Sequence, residues 1–447
     1  MNSTLKSMLI AAAAITSVSA FAQDKATLDL LVKKGIITAE ERAKTLQSAA
    51  ATKTESGMDR VFIKEAGANR LTFSGRIQGQ WEAAAYSETI GSTGVETQAT
   101  DLNNVMMRRL YLGAKVDVGS GFSGELVWNF GDSSQGTSGV RAGAADKAVF
   151  TYESDFGKFD FGYQKVNFGQ EENTSSSGLY TVERSMATRY WAESNNGRRL
   201  GFGARHVGLH YSNKNVIGEG GPGTLAYGAA IVDAVQGYNS TAINDFGYYA
   251  NVSFDWKPLG TTIGINYGLT PSGATSTSGG LPTAVGGSLD MAEGFNPYFK
   301  YVTGDLTVVG EYIITAIDAS STTATNSGFL DRDPSGYNIT LAYKLSENLE
   351  AVARYSALDT DGRGQQAGDG FRDVVTTGTS GSTYDKSTSI FVGLNYYFNK
   401  NNAKIQFGYE KAKLEGRISG YSSGVATVVG ADDADADIFR LQAQVLF

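Results

Sequence analysis

Basic side chains recur on the polar face of several segments in which every second residue is apolar. Arginine presents five N–H donors in a fixed planar fork that matches carboxylate and phosphate oxygens. A series of such groups along one face predicts anion-binding positions, although any water-facing surface also carries charge. Acids share this face, among them Glu82, Glu125 and Glu350, so both interpretations stay open. The basic positions are Arg76, Arg109, Lys115, Lys165, Arg354 and Arg440, joined by Arg199 and Arg205 if the alternation continues without a bulge near His206.

Chemistry other than anion binding has little support in the sequence. His206 and His210 lie four residues apart on a segment with strand periodicity, outside the helical HExxH context of zinc enzymes, so we interpret them as wall residues. Cysteine is absent, which excludes thiol chemistry and disulfides. The acidic run at 432–437 resembles no specific calcium motif and predicts a solvated loop. We therefore predict no catalytic residue, metal or cofactor.

The last nine residues show what kind of element carries these side chains. Every second residue is apolar, and the chain ends on an aromatic residue that also looks like the terminal signature of outer-membrane barrels. Such a strand suits lipid on one face and water on the other. The apolar positions are Phe439, Leu441, Ala443, Val445 and Phe447, and the polar ones between them are Arg440, Gln442 and Gln444.

The same alternation recurs from Leu71 onward in about sixteen segments, and the connections between them alternate in length. Short turns such as Gly119–Gly121 and Asp155–Gly157 alternate with long polar loops such as 272–293 and 360–385. Short turns on one side and long loops on the other are typical of outer-membrane barrels. A soluble β-sandwich would explain the alternation of apolar and polar residues, but not the signal peptide, the terminal aromatic residue and the alternating lengths of the connections together. We predict an all-β fold, a transmembrane antiparallel β-barrel of about sixteen strands, over residues 58–447.

The N-terminal region differs from the rest of the chain. Residues 1–22 have a basic start, a short apolar run and an Ala-Phe-Ala end, which predicts a secretory signal peptide. Residues 23–57 predict a short periplasmic helical extension and linker, with Thr38 and Glu41 at capping-box spacing. We therefore expect export to the bacterial outer membrane, with its lipid and lipopolysaccharide as partners. The net charge of −8 argues against nucleic-acid partners.

Several segments resemble the phosphate-selective porin O/P family. They are Met-Arg-Arg-Leu-Tyr-Leu-Gly from Met107, Phe-Gly-Lys-Phe-Asp-Phe-Gly-Tyr from Phe156, Thr-Ser-Ser-Ser from Thr174 and Val-Glu-Arg-Ser-Met-Ala from Val182. The resemblance implies a homotrimer of sixteen-stranded barrels that passes small hydrophilic solutes by passive diffusion. It also implies that basic side chains in the lumen lead anions such as phosphate through the pore.

The resemblance further implies that the third outer loop, about 168–197, folds into the barrel and narrows it. The expected constriction residues are Arg184, Arg189, Glu183 and Lys165. Arg184 occupies the arginine of the family's Glu-Arg-Ser segment, which makes it the main candidate. Loop groups of both signs would set up a transverse field across the lumen. The alternative is that Arg184 pairs with Glu183 or a neighbouring acid and pins the loop.

Two features depart from a phosphate-selective porin. The chain is net acidic, and the predicted outer loops carry aspartates such as Asp359, Asp361 and Asp433 but no dense lysine cluster. An acidic mouth repels anions unless cations neutralise it. The hypothesis is therefore a diffusion porin in which anion preference stays open. The alternatives are a non-selective or cation-leaning porin, a surface adhesin and an outer-membrane barrel enzyme.

Overall fold

The computed structural model describes most of the chain from residue 61 to the C-terminus. The described residues are 61–64, 70–90, 95–98, 102–131, 143–192, 200–218, 221–233, 246–271, 289–319, 332–362, 364–366, 383–419, 427–428 and 433–447. The expected signal peptide and helical extension lie outside this part of the chain, so both remain predictions, as does the domain boundary at residue 58.

The described residues form one antiparallel sheet whose strands follow one another in chain order. Sixteen strands build the wall of a closed barrel, and four short ones, β1, β3, β16 and β19, extend individual pairings. The strands are β1 (Val61–Lys64), β2 (Arg70–Ile90), β3 (Val95–Gln98), β4 (Leu102–Gly119), β5 (Phe122–Asn129), β6 (Ala144–Ser154), β7 (Gly157–Lys165), β8 (Arg205–Ile217), β9 (Gly223–Asp233), β10 (Phe246–Trp256), β11 (Thr261–Pro271), β12 (Leu289–Thr303), β13 (Leu306–Ala319), β14 (Ser335–Lys344), β15 (Leu349–Asp359), β16 (Gln365–Gln366), β17 (Thr383–Asn399), β18 (Ala403–Ser419), β19 (Thr427–Val428) and β20 (Ala434–Leu446).

The barrel closes where β20 pairs antiparallel with β2, from Arg76 opposite Leu446 to Glu88 opposite Ala434. The C-terminal residue completes this seam, since the Gly75 amide donates to the Phe447 carbonyl at 2.7 Å and the Phe447 amide to the Gly75 carbonyl at 3.1 Å. Closure satisfies the backbone groups that an open sheet edge would expose to lipid. The predicted all-β barrel of about sixteen strands is confirmed.

The alternation read from the sequence divides β2 and β20 into an outer and an inner face. Apolar side chains such as Trp81 and Leu441 are exposed on the outside, whereas Gln80, Gln442 and Gln444 are buried inside. An apolar exterior and a polar interior are what a strand needs between lipid and a water-filled lumen. No helix among the described residues is both long enough and apolar enough to cross a bilayer.

One irregularity changes which residues face the lumen. Opposite β2, the pairing of β4 skips Arg108, because Gln78 pairs with Arg109 while Gly79 pairs with Met107. This β-bulge inserts one residue into β4 and shifts its phase. Met107 therefore lies on the exposed outer face, while Arg108 and Arg109 are both buried.

The segment between β7 and β8 turns into the barrel instead of staying outside it. We call residues 166–204 the inward loop, of which 166–192 and 200–204 are described. The described part of this loop contains two short helices, α1 (Gln170–Asn173) and α2 (Met186–Trp191). Ser185 caps α2 by accepting a hydrogen bond from the Thr188 amide. Helix α2 packs against β14, β15 and β17, and Trp191 donates from its indole to Thr315 on β13.

Candidate functional site

A cavity of about 440 Å³ lies beside the inward loop, against the wall made by β2 and β4 to β8. Its charged lining is unequal, with eight basic and three acidic side chains. The basic residues are Arg76, Arg108, Arg109, Lys147, Lys165, Arg184, Arg189 and Arg205, and the acidic ones are Glu125, Asp146 and Glu172. Such an excess of positive charge between low-dielectric walls attracts anions.

Six of the eleven residues predicted as lumen or constriction sites meet at this cavity. They are Arg76, Arg109, Lys165, Arg184, Arg189 and Arg205. Lys115 lies on the same face of β4, opposite Glu125 in the pairing with β5, but does not line the cavity. Arg199 lies outside the described residues. The other three, Glu183, Arg354 and Arg440, are buried between the loop and the wall.

Arg76 is a basic residue of this cavity whose hydrogen bonds go to neutral hydroxyl groups. It donates to the hydroxyls of Ser176 and, at 3.0 Å, Ser175, both on the inward loop. Its guanidinium lies 5.0 Å from the centre of the Tyr111 ring, which also lines the cavity. Among the described residues, no carboxylate forms an ion pair with Arg76, and its buried Nε has no hydrogen-bond partner.

Arg108 and Arg109 together hold a loop carboxylate. Arg108 makes a two-pronged contact with Glu183, with Nη2 donating to Oε2 at 3.1 Å and Nε to Oε1. Arg109 donates to Gln78 at 2.9 Å, and its Nη2 lies 3.7 Å from the same carboxylate. Planar guanidinium and carboxylate groups match in this geometry, which makes the pair a strong loop–wall contact.

Arg108 was missed by alternation alone, which places it on the outer face. The sequence around Arg108 nevertheless indicates that the phase of the alternation changes there. The apolar positions Val105 and Met107 are odd-numbered, whereas Leu110 and Leu112 are even-numbered, so the phase must change between them. An arginine facing lipid would also be costly. Both facts favour a bulge at Arg108.

Lys165 and Arg184 converge on Glu172 of the inward loop. Lys165 forms an ion pair with the Glu172 carboxylate and donates to its carbonyl at 2.8 Å. Arg184 lies 3.1 Å from the Glu172 carboxylate and donates to the carbonyls of Glu171, Glu172 and Thr174 at 3.1, 3.0 and 2.8 Å. These contacts brace the C-terminal end of α1 and favour the alternative in which Arg184 pins the loop.

The far side of the cavity contains two further ion pairs. Arg205 on β8 lies 2.6 Å from the Asp146 carboxylate on β6, and Lys147 lies 2.8 Å from Glu125 on β5. These side chains are partly exposed, so water and mobile ions compete for them. The cavity therefore keeps its positive excess after the pairs are formed, since basic lining residues outnumber acidic ones.

Arg354 and Arg440 lie on the inner face of the wall, where the inward loop covers them. Arg354 on β15 contacts Glu171 of the loop at 2.9 Å and Glu410 of β18 at 3.1 Å. Arg440 on β20 contacts Glu410 at 2.9 Å and lies 3.8 Å from Glu82 on β2. The side chains are 0% and 2% exposed, so neither borders the cavity.

Each carboxylate in the described part of the inward loop contacts a basic side chain. Glu171 faces Arg354, Glu172 faces Lys165 and Arg184, and Glu183 faces Arg108 and Arg109. The loop therefore presents less negative charge to the cavity than its sequence suggests. A transverse field between loop acids and wall arginines, one of the sequence expectations, is correspondingly weakened in this part of the lumen.

The two histidines lie on β8 but do not line this charged cavity. The His206 Nδ1 is 2.9 Å from the Asp233 carbonyl, and His210 lines a smaller polar cavity of about 170 Å³ with Asp160, Gln164 and Lys165. Among the described residues, no group of three or more His, Asp or Glu side chains is placed to hold a metal ion.

Comparison with known proteins agrees with this architecture. Residues 90–447 match the family model described as "Phosphate-selective porin O and P". No curated protein matches the sequence. The fold is similar to the anion-selective porin from Comamonas acidovorans (13% identity, TM-score 0.52, 85% of this chain and 100% of that chain). It is also similar to the outer membrane channel DcaP of Acinetobacter baumannii (14% identity, TM-score 0.52, 86% and 99%).

Proposed function

The chain belongs to the phosphate-selective porin O and P family, and from that premise we propose that its pore favours small hydrophilic anions. As a member of this family it is a porin of the bacterial outer membrane, where solutes diffuse passively down their gradients. The family and the barrel fold indicate a channel. The preference for anions, and for phosphate among them, is our proposal for this chain.

The observation that carries this proposal is the charge of the cavity beside the inward loop. Eight basic residues against three acidic ones raise the local concentration of anions where the loop narrows the lumen. Most of these cations hold a carboxylate, so an entering anion meets partly compensated charges and can leave again. Binding that is favourable but weak is what conduction requires.

Arg76 is the residue we assign to direct contact with the passing anion. Its described partners are the neutral hydroxyls of Ser175 and Ser176, and its Nε remains without a partner. Phosphate or carboxylate oxygens can replace those hydroxyls as acceptors without breaking an ion pair. Serine hydroxyls can also turn to donate to the same anion, because a hydroxyl both donates and accepts.

A cation-leaning or non-selective pore is the second candidate, and the outer end of the barrel favours it. Asp359, Asp385 and Asp433 lie at the strand ends there, beside Lys386 and Lys413. The Lys386–Asp359 and Lys413–Asp433 pairs are about half exposed and compensate this charge only locally. An acidic vestibule would slow anion entry even where the constriction is basic.

We also propose that the protein is a homotrimer, because part of the barrel wall is built from short strands. Strands β5 and β7 have 8 and 9 residues. At about 3.4 Å per residue and a tilt of about 40°, they cover roughly 21 and 23 Å, less than the roughly 25 Å apolar band of such barrels. Exposed Phe150 and Phe161 lie on this wall, on β6 and β7. Neighbouring copies would cover these strands, and lipid with lipopolysaccharide would cover the rest.

The test is the reversal potential of the purified protein in planar bilayers across a KCl gradient, repeated with phosphate added. We expect chloride preference in the native protein and partial block by phosphate, with a weaker chloride preference and little phosphate block in Arg76→Gln. Lys344→Gln, at an exposed end of β14, removes one positive charge outside the cavity and serves as the matched control.

Each result separates the alternatives. Native cation preference, or none, would remove the anion assignment and leave a general porin. Unchanged selectivity in Arg76→Gln would remove Arg76 from the solute path. Folded protein without conductance would contradict passive diffusion and favour an adhesin or a barrel enzyme.

A further inference from the structure

Two arginines of the lumen face, Arg354 and Arg440, take part in a buried network that the anion path does not use. Arg354, Glu410, Arg440 and Glu82 lie on β15, β18, β20 and β2, across the seam where the barrel closes. Opposite charges follow one another through it, with Glu410 between the two arginines at 3.1 and 2.9 Å. The four side chains are at most 4% exposed.

Arg354 connects this network to the inward loop. Its Nη1 lies 2.9 Å from Glu171 Oε1, 3.0 Å from Thr181 Oγ1 and 2.8 Å from the Glu183 carbonyl oxygen. One guanidinium thus reaches three loop residues while its Nη2 holds Glu410 on the wall. The ring of Phe391 on β17 packs 5.6 Å from the guanidinium carbon, which fixes its plane.

Glu183 extends this connection to the other wall. Its carbonyl accepts from Arg354 on β15, and its carboxylate accepts from Arg108 on β4. The loop is therefore held from both sides at a single residue. It rests on one side of the lumen, over Arg354, while the basic cavity stays open on the other side, against β2 and β4 to β8.

We propose that Arg354 is the positioning residue of the inward loop and does not contact the passing solute. Its contacts with Glu171, Thr181 and Glu183 hold the loop against β15, so that the open cross-section lies entirely on the basic side. The proposal depends on the chain being a porin but not on the charge preference proposed above. Arg440 supports Arg354 through Glu410, because it neutralises the second oxygen of that carboxylate.

The experiment combines single-channel recording with labelling of one introduced cysteine. The native chain has no cysteine, so Leu179→Cys creates a single reactive thiol in the loop. Leu179 is buried, and its carbonyl, not its side chain, accepts hydrogen bonds from Lys404 and Gln406 at 3.0 and 3.1 Å. The rate of reaction with a water-soluble methanethiosulfonate reagent therefore reports how often the loop leaves the wall.

Arg354→Met in this background is expected to raise the labelling rate about tenfold or more, since a buried ion pair loses one partner. Single channels should flicker and close at lower voltage. Lys147→Met is the control, because it also removes one positive charge from the lumen, and the described partner of Lys147 is Glu125 of the wall, not a residue of the loop. It should leave labelling slow.

Arg354→Met with native labelling and native gating, but shifted ion selectivity, would overturn the proposal and return Arg354 to the solute path. If Arg354→Met fails to insert as a folded barrel, Glu171→Gln weakens the loop side alone and keeps the Arg354–Glu410 pair. Faster labelling in Glu171→Gln supports the proposal, and unchanged labelling contradicts it. A pore that lacks anion preference, but whose variants still label faster, would contradict the proposed selectivity and leave the role of Arg354 supported.

Discussion

At the scale of single residues, the lumen distinguishes arginines that hold the structure from arginines that are left available. Arg108 and Arg354 are enclosed and each holds carboxylates, whereas Arg76 contacts serine hydroxyls and an aromatic ring. A buried guanidinium whose partner is removed keeps the full cost of its desolvation. Mutation of the partner should therefore reveal which arginines are structural.

We predict that Glu183→Gln lowers stability by about 3 to 5 kcal/mol, because it leaves Arg108 buried with a weaker partner. Arg108→Met should have a comparable effect, since Glu183 then loses the guanidinium that contacts both of its carboxylate oxygens. In the double variant the loss should be smaller than the sum, as expected for groups in direct contact. The measurement is a double-mutant cycle on the urea midpoint of the folded barrel in detergent micelles. Additive losses would mean that the two side chains act independently.

At the scale of secondary-structure elements, closure of the barrel depends on one close approach between β2 and the C-terminus. Gly75 lies beneath the Phe447 ring, and a Cβ built on it would lie 2.1 Å from the ring's Cζ atom. Side chains cannot approach so closely, so the ring would have to move away from the seam. This contact explains in steric terms why a glycine precedes Arg76 on the first barrel strand.

Gly75→Ala should therefore slow or weaken closure of the barrel. Gly79→Ala is a matched control on the same strand, because its added Cβ would meet no atom within 4 Å. The folded fraction after refolding into detergent, read from the mobility of unheated samples in gel electrophoresis, provides the measurement. Equal yields for both variants would show that the Phe447 ring adjusts without cost.

At the scale of the whole molecule, the short strands β5 and β7 are the basis of the proposed trimer. We predict that the protein purified in mild detergent has a protein mass near three times 47.4 kDa, less any cleaved signal peptide. Light scattering coupled to size-exclusion chromatography measures this mass. Phe161→Arg, on the exposed outer face of β7, should lower the measured mass toward that of one copy, because an interface excludes an unpaired charge. A monomeric native protein would contradict the trimer.

Strand positions and faces were predictable because they depend on local alternation. The side chains of Gln442 and Gln444 had to face inward once Leu441 and Val445 faced lipid, since successive residues of a strand point to opposite faces. The same rule placed Arg76, Arg354 and Arg440 on the lumen side. It failed at Arg108, where a one-residue bulge reverses the phase and brings two consecutive arginines inside.

The sequence by itself determined an exported, closed barrel with a basic series on its inner face. These features could be predicted because the period-two alternation and the terminal signals are each contained in a short stretch of chain. Only the tertiary structure decided which of those basic residues remain available. Arg76 meets Ser176 across 100 positions of the sequence, and Arg354 meets Glu171 across 183. Such contacts depend on the path that the inward loop takes through the lumen, which follows from packing and pairing with the wall and leaves no periodic trace in the sequence.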